Sequence, residues 1–153
     1  MTRPGVVALC GLAAVVVCCA SCTTPADRAR AASTEAARAR AQHGLQLLRE
    51  EYGSRASLET AIEKIREENP DTTFDLGRTV PASGRFVAGF AFLTYTEAGG
   101  GGTYVQVAVR LCVSYSGEVA VLNSAVAADR NCPAGLPDSV RGVPVAGDVK
   151  LSG

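Results

Sequence analysis

A run of alternating residues from Thr103 to Ser114 constrains the fold of this chain more than any other stretch. Apolar side chains occupy every second position, and mostly polar or small side chains fill the positions between them. Because successive side chains of a β-strand point to opposite faces of the sheet, the pattern predicts a strand with one apolar face. That face carries Val105, Val107, Val109, Leu111 and Val113. An apolar sheet face needs a cover, which helices can supply.

Three more strands are predicted beside this central one. A first strand lies near Phe74, and Arg85–Glu97 is a second strand rich in Phe, Val and Tyr. The tip between the second and central strands is a flexible loop that contains Gly99, Gly100, Gly101 and Gly102. Ser116-Gly117 predicts a two-residue turn into a fourth strand, Val119–Ala127. Short connections of this kind predict an antiparallel arrangement in chain order.

Two helices are predicted ahead of the sheet, at about residues 25–52 and 58–68. Thr24-Pro25 marks the first helix start, because threonine caps free backbone N–H groups and proline suits the first helical position. Up to His43 this helix consists mostly of alanine and charged residues, and its apolar spacing begins at Leu45. Residues 22–43 are therefore interpreted as a solvated helical stalk, and residues 44–153 as a single small domain.

The predicted fold class is α+β. The N-terminal helices pack on a four-stranded antiparallel β-meander at about residues 72–127 and cover its valine-rich face. Residues 133–153 contain several prolines and are predicted to form an irregular C-terminal tail. At most, a short edge strand is expected there, near Val143–Val145 or Val149–Leu151.

Residues 1–21 have the parts of an export signal peptide. Arg3 supplies positive charge, Val6–Ala20 is apolar, and Ala20-Ser21-Cys22 places two small residues before a cysteine. This ending resembles the lipobox of bacterial lipoproteins, although Cys19 stands where that pattern usually has a branched aliphatic residue. The resemblance implies cleavage before Cys22 and attachment of fatty acids such as palmitate to it. It also implies a protein anchored in the cell membrane and facing the extracytoplasmic side.

Two alternatives stay open for this segment. Plain secretion would involve cleavage after Ala20 or Ala26 and no lipid. An uncleaved anchor would need about 20 apolar residues to span a bilayer, whereas Val6–Ala20 supplies fifteen.

The use of cysteine agrees with export. Three of the six cysteines lie within residues 1–21, and Cys22 is the fourth. Cys112 and Cys132 remain, and an exported pair is predicted to form a disulfide. The strand pattern puts Cys112 on the face opposite the valines. Two free buried thiols are the alternative, because an unpaired cysteine behaves as a small hydrophobic residue.

The charge balance argues against one class of partner. Removal of residues 1–21 takes away Arg3 and no acidic residue, which leaves fourteen basic and fifteen acidic side chains. A chain with that balance lacks the general basic field that nucleic-acid-binding proteins use. The predicted partners are the membrane, through Cys22, and a protein of the cell envelope.

No catalytic residue, cofactor or metal site is predicted. His43 is the only histidine and is expected to be solvated on the first helix, so His-based triads and multi-histidine metal sites lack components. Asn69, Asp71, Thr73 and Asp75 alternate like calcium ligands, but the turn glycine and closing glutamate of a calcium loop are missing. They are therefore interpreted as a turn followed by a strand.

One candidate contact surface follows from the second strand. Phe86, Phe90 and Phe92 share a face, which favours the core, but an open face beside the loop of Gly99, Gly100, Gly101 and Gly102 would form a binding surface. The favoured function is a non-catalytic interaction or structural module of the envelope. The alternative, a small-ligand or solute-binding lipoprotein, requires an enclosed pocket. The mature domain carries no motif that identifies a family.

Overall fold

The structure is a computed structural model that describes residues 24–51, 55–81, 83–100 and 102–152. In chain order its elements are α1 (Pro25–Glu50), α2 (Arg55–Glu67), β1 (Thr73–Thr79), β2 (Arg85–Gly100), β3 (Thr103–Glu118), β4 (Val121–Asp129), β5 (Ser139–Val140) and β6 (Val143–Val149). The α+β class is confirmed, because two helices precede the strands. The predicted signal peptide and Cys22 lie outside the described residues, as does Tyr52, the predicted end of the first helix.

The sheet differs from the predicted four-stranded antiparallel meander. Strands β1 to β4 are antiparallel neighbours in chain order, but the described sheet has six strands in the order β1-β2-β3-β6-β5, with β4 also paired to β3. β2 and β3 form a long hairpin that is paired from Arg85 and Glu118 at one end to Gly100 and Thr103 at the other. The sheet is mixed, because β6 runs parallel to β3.

The C-terminal tail is irregular only in part, because it also forms the strands β5 and β6. β4 pairs only with the last third of β3, from Val113 onward, so the edge of β3 near Ala108–Leu111 is free to pair with β6. Val145 of β6 is the partner of Ala108, and Val149 is the partner of Leu111. The sequence predicts at most a short edge strand here, because Pro144 interrupts the alternating pattern and lacks the N–H that a central strand would donate. β6 is instead a seven-residue strand that pairs with both β3 and β5.

The predicted turn at Ser116-Gly117 is also wrong. Both residues remain in β3 and pair with β2, and the chain turns after Glu118, so β4 begins at Val121. A Cβ atom at Gly117 would lie 3.1 Å from the Cα of Ala125 and from the ring of Phe86. This glycine permits a close approach between the packed neighbours rather than a turn.

The valine-rich face of β3 is covered by the two helices, as predicted. Val109, Leu111 and Val113 are buried and pack in one cluster with residues of α1 and α2. The Tyr115 side chain extends this face and is buried there. Its hydroxyl donates to the carbonyl of Ala41 in α1 at 2.7 Å, and burial raises the pKa of the phenol. The hydrophobic core therefore lies between the helices and this face.

The described part of the predicted stalk is packed against the sheet. Ala29, Ser33, Ala37 and Ala41 recur every fourth residue and are at most 1% exposed. The Ser33 hydroxyl donates to the carbonyl of Val107 at 2.7 Å. The stalk interpretation is therefore wrong for this helix, and the packed domain begins near Ala29 rather than at residue 44. Alanine and serine form no conspicuous apolar stripe, yet their small size lets a helix backbone lie close to a sheet.

The close approach of α1 predicts a position-specific effect of added volume. Ala37→Leu is expected to lower the free energy of unfolding by about 1–3 kcal/mol, because a larger side chain at a fully buried position overpacks its surroundings. Urea denaturation measures this difference. Ala39→Leu is the matched control, since Ala39 is exposed on the same helix and should change stability by less than about 0.5 kcal/mol. Equal stabilities for the two variants would contradict the packing of α1.

Candidate functional sites

The described chain begins with a capped helix immediately after the predicted anchor. The Thr24 hydroxyl accepts a hydrogen bond from the backbone N–H of Asp27, and the Asp27 carboxylate accepts one from the backbone N–H of Thr24, each at 3.1 Å. This capping box confirms the predicted helix start. Hydrogen bonds from the Thr24 side chain, and then from its backbone, lower the pKa of the Asp27 carboxyl. The described helix thus begins at Pro25, three positions after Cys22 in the sequence.

The tip of the β2–β3 hairpin lies at the same end of the domain. The Thr96 hydroxyl of β2 donates to the carbonyl of Ala29 near the start of α1 at 2.6 Å. Beyond Thr96, the Tyr104 side chain is 64% exposed, and its hydroxyl donates to the Glu97 carboxylate. The Gln106 side-chain amide also donates to Glu97, at 2.6 Å. The hydrogen bonds from Tyr104 and then from Gln106 lower the pKa of Glu97.

The predicted glycine loop is shorter than expected. Gly99 and Gly100 belong to β2 and pair with Tyr104 and Thr103. Gly102 lies in the turn with φ 85°, a conformation that glycine adopts without strain. Gly101 lies outside the described residues. The hairpin therefore remains paired almost to its tip.

The predicted contact surface formed by Phe86, Phe90 and Phe92 is contradicted. These side chains are 1%, 0% and 2% exposed and pack beneath the helices. The Phe90 ring lies 6.2 Å from that of Phe92 and 5.7 Å from that of Tyr115, measured between centroids. Their face is the helix-covered face of the sheet, so these residues form core and not an open binding surface.

Cys112 and Cys132 are joined by a disulfide, as predicted, with Cα atoms 5.3 Å apart. Cys112 lies on the face opposite the helices, and its carbonyl accepts a hydrogen bond from the N–H of Arg130 at 3.0 Å. That bond extends the β3–β4 pairing to the point where the chain turns toward Cys132. The disulfide therefore ties the segment that leaves β4 to the centre of the sheet.

The outer face of the sheet, opposite the helices, is only partly covered. A second apolar cluster forms where the C-terminal segment crosses it and consists of Leu93, Ala108, Val140 and Val143. Beyond this cover, Val87, Val121 and Val126 are 45–52% exposed at the end of the sheet that carries the β3–β4 turn. Exposed apolar side chains of this kind can support protein contacts.

A polar cleft of about 210 Å³ lies between α1, the α2–β1 connection and the C-terminal segment. The Arg40 guanidinium donates to the Thr72 hydroxyl at 2.8 Å and to the Leu93 carbonyl at 3.1 Å. Burial lowers the pKa of Arg40. Across the cleft, Arg141 donates to the Tyr95 hydroxyl at 2.9 Å, with its guanidinium carbon 5.3 Å from the centre of the ring. Sequence reasoning missed this cleft because its residues are scattered along the chain.

The charges around the cleft limit what it can bind. Glu68 and Asp71 line it together with Arg40 and Arg141, so the two signs are balanced. The Glu68 carboxylate also contacts Nε2 of His43 at 2.7 Å, which ties α1 to the end of α2. His43 is thus exposed, as expected, but paired. The cleft is smaller than the roughly 300–1,000 Å³ of typical ligand pockets.

The residues that alternate like calcium ligands form no metal centre in the described structure. Asp75 accepts a hydrogen bond from the N–H of Gly77 at 2.7 Å, and Thr73 is buried at the start of β1. The carbonyl of Asn69 accepts from the N–H groups of Thr72 and Thr73 in a turn. Within residues 24–51, 55–81, 83–100 and 102–152, no group of three or more His, Cys, Asp or Glu side chains could hold a metal ion.

None of the helices in the described part of the chain is long and apolar enough to span a membrane. Comparisons of the chain with known protein families, with curated proteins and with solved structures found no match.

Proposed function

We propose that this chain is an exported lipoprotein of the bacterial cell envelope, anchored through Cys22, whose folded domain is a non-catalytic interaction or structural module. The observation that carries the proposal is the distribution of the cysteines. Cys112 and Cys132 are joined in the folded domain, and the other four lie within residues 1–22. Disulfides persist in oxidising compartments outside the cytoplasm, which agrees with a segment that has the pattern of an export signal.

The start of α1 argues against the later of the two alternative cleavage sites, after Ala26. A capping box at Thr24 satisfies the first free N–H groups of the helix without any residue that precedes it. Cleavage before Cys22 therefore leaves the cap intact, whereas cleavage after Ala26 would remove Thr24 and expose the first turn. This favours cleavage before Cys22 over secretory cleavage after Ala26.

An interaction role is favoured over small-ligand binding. The polar cleft is small, and Arg40 is already used to hold α1 against Thr72 and Leu93. Three further clefts of about 330–540 Å³ are open surface grooves and not enclosed pockets. Val87, Val121 and Val126, by contrast, expose apolar surface without such an internal role. Burial of apolar surface is the dominant favourable contribution to most protein association, at about 25 cal/mol per Å². A protein partner in the envelope is therefore the better-supported ligand.

The lipid anchor is tested by replacement of its cysteine. Cys22→Ala is expected to abolish incorporation of an alkyne-labelled palmitate analogue, because the acylated thiol is lost. Click labelling of the immunoprecipitated protein measures this effect.

Cys19→Ala is the matched control, because this cysteine lies three residues earlier in the same signal. It should keep at least half of the wild-type label. Mass spectrometry of the mature N-terminus should identify Cys22 with attached acyl chains. Equal labelling of wild type and Cys22→Ala, or an unmodified N-terminus after Ala20 or Ala26, would overturn the proposal.

A further inference from the structure

The distance between the anchor and the folded domain is short. Two residue steps separate Cys22 from Thr24, the first described residue of the helix cap. At full extension they span about 7 Å, because each residue contributes at most about 3.6 Å. α1 is packed on the sheet from Ala29 onward, so it cannot act as a flexible spacer. A lipid on Cys22 would therefore hold the domain itself at the bilayer surface.

The end of the domain that faces the bilayer follows from how α1 lies on the sheet. Ala29 contacts Thr96 through a hydrogen bond, and Ala41 further along the helix contacts Tyr115 near the opposite end of the hairpin. The helix thus runs along β2 and β3, with its start toward the hairpin tip. From Thr96, four residues of β2 continue to Gly100, about 13 Å at 3.3 Å per residue. From Ala29, four residues lead back to Pro25, about 6 Å at 1.5 Å per residue.

The hairpin tip therefore extends about as far as the anchored terminus. The five steps from Ala29 back to Thr24 span about 8 Å, and the two further steps to Cys22 add at most about 7 Å, so the anchored terminus reaches at most about 15 Å beyond the Ala29 level. The tip reaches a comparable distance beyond Thr96. A bilayer that holds the acyl chains of Cys22 would meet the residues at the end of β2 and the start of β3.

The chemistry of the tip suits lipid headgroups rather than the hydrocarbon core. Tyr104 is a large hydrophobic side chain that is 64% exposed there, and tyrosine is enriched at membrane–water interfaces because it is both aromatic and polar. Arg28 and Arg30, in the first turns of α1, are exposed and can attract anionic headgroups. Glu97 carries negative charge but is held by Tyr104 and Gln106, which keeps contact shallow.

We infer that the β2–β3 hairpin tip, with Tyr104, lies against the phospholipid bilayer beside the anchor and fixes the orientation of the domain. This inference rests on the proposed lipidation of Cys22. The exposed valines of the outer face then lie at the opposite end, away from the membrane. Val126 pairs with Ser116, twelve residues along β3 from Tyr104, or about 40 Å.

The test uses single tryptophan probes, because the chain contains no tryptophan of its own. Full-length processed Tyr104→Trp and Val126→Trp proteins are purified from membranes and reconstituted into vesicles of phosphatidylcholine and phosphatidylglycerol. Both positions are more than half exposed, so each probe reports its surroundings with little change in packing. Doxyl labels near the headgroup are compared with labels near the end of the acyl chain.

The expected result is at least threefold stronger quenching of the Tyr104→Trp probe than of the Val126→Trp probe by the shallow label. The deep label should quench the Tyr104→Trp probe more weakly than the shallow one. Equal quenching at the two positions, or stronger quenching of the Val126→Trp probe, would overturn the inferred orientation.

Mass spectrometry of the same preparations shows whether Cys22 is acylated, so failure of the inferred orientation can be distinguished from failure of the proposed lipidation. If Cys22 is acylated and the Tyr104→Trp probe is unquenched, the orientation fails and the lipoprotein proposal stands. If Cys22 carries no lipid, the proposed function fails, and the inference fails with it.

Discussion

Phe90→Ala is expected to lower the free energy of unfolding by about 3–5 kcal/mol, because it leaves a large cavity between the sheet and the helices. Phe90 is fully buried, and its ring packs against Phe92 and Tyr115. The surrounding side chains come from α1, α2 and the two longest strands, which cannot collapse together without loss of other contacts. The loss approaches the whole stability of a small domain, typically about 5–15 kcal/mol.

Urea denaturation followed by circular dichroism measures this effect, and Val87→Ala provides the matched control. Val87 lies three residues away on the same strand but on the outer face, where it is 45% exposed. Val87→Ala should lower the free energy of unfolding by less than about 1 kcal/mol. A Phe90→Ala variant as stable as Val87→Ala would show that the phenylalanine face is open rather than buried.

The double variant Cys112→Ala/Cys132→Ala, which lacks the disulfide, is expected to have a free energy of unfolding about 3 kcal/mol lower than that of the oxidised protein. The two cysteines are separated by 20 residues in the chain. The cross-link restricts the unfolded chain, and the stabilisation grows with the logarithm of the length of the closed loop. The double variant should therefore unfold at lower urea concentration than the oxidised protein.

Addition of a reductant to the wild-type protein should reproduce most of this loss, while the double variant should not respond to the reductant. Thiol titration of the oxidised, unfolded mature protein should detect neither cysteine. Two titratable thiols, or a reductant effect on the double variant as large as on the wild type, would show that the stability does not depend on this disulfide.

The elements with a strong periodic pattern could be predicted from the sequence. The alternation in β3 identified the strand, the face that the helices cover and the side on which Cys112 lies. Thr24-Pro25 identified the start of α1, since the capping residues act locally. Both predictions depend on interactions within a few residues or on a single strand, which sequence patterns report directly.

Features that depend on distant packing could not be predicted in the same way. Ala29, Ser33 and Ala37 are buried because the sheet approaches them, not because they are strongly apolar. Gly117 was mistaken for a turn residue because its role depends on Ala125 and Phe86, which meet it only in the folded protein. The cleft around Arg40 joins residues from separate parts of the chain, so no local pattern marks it.

The parallel pairing of β6 with β3 bears on the order in which an exported chain can fold. Export through a translocation channel from the amino end would release the β2–β3 hairpin well before residues 143–149. The free edge of β3 at Ala108–Leu111 would then stay unpaired until β6 arrives, and an unpaired strand edge can pair with other chains. In a chain exported in that order, β6 would be the last strand to pair with this edge, and contacts with neighbouring chains would have to be avoided until then.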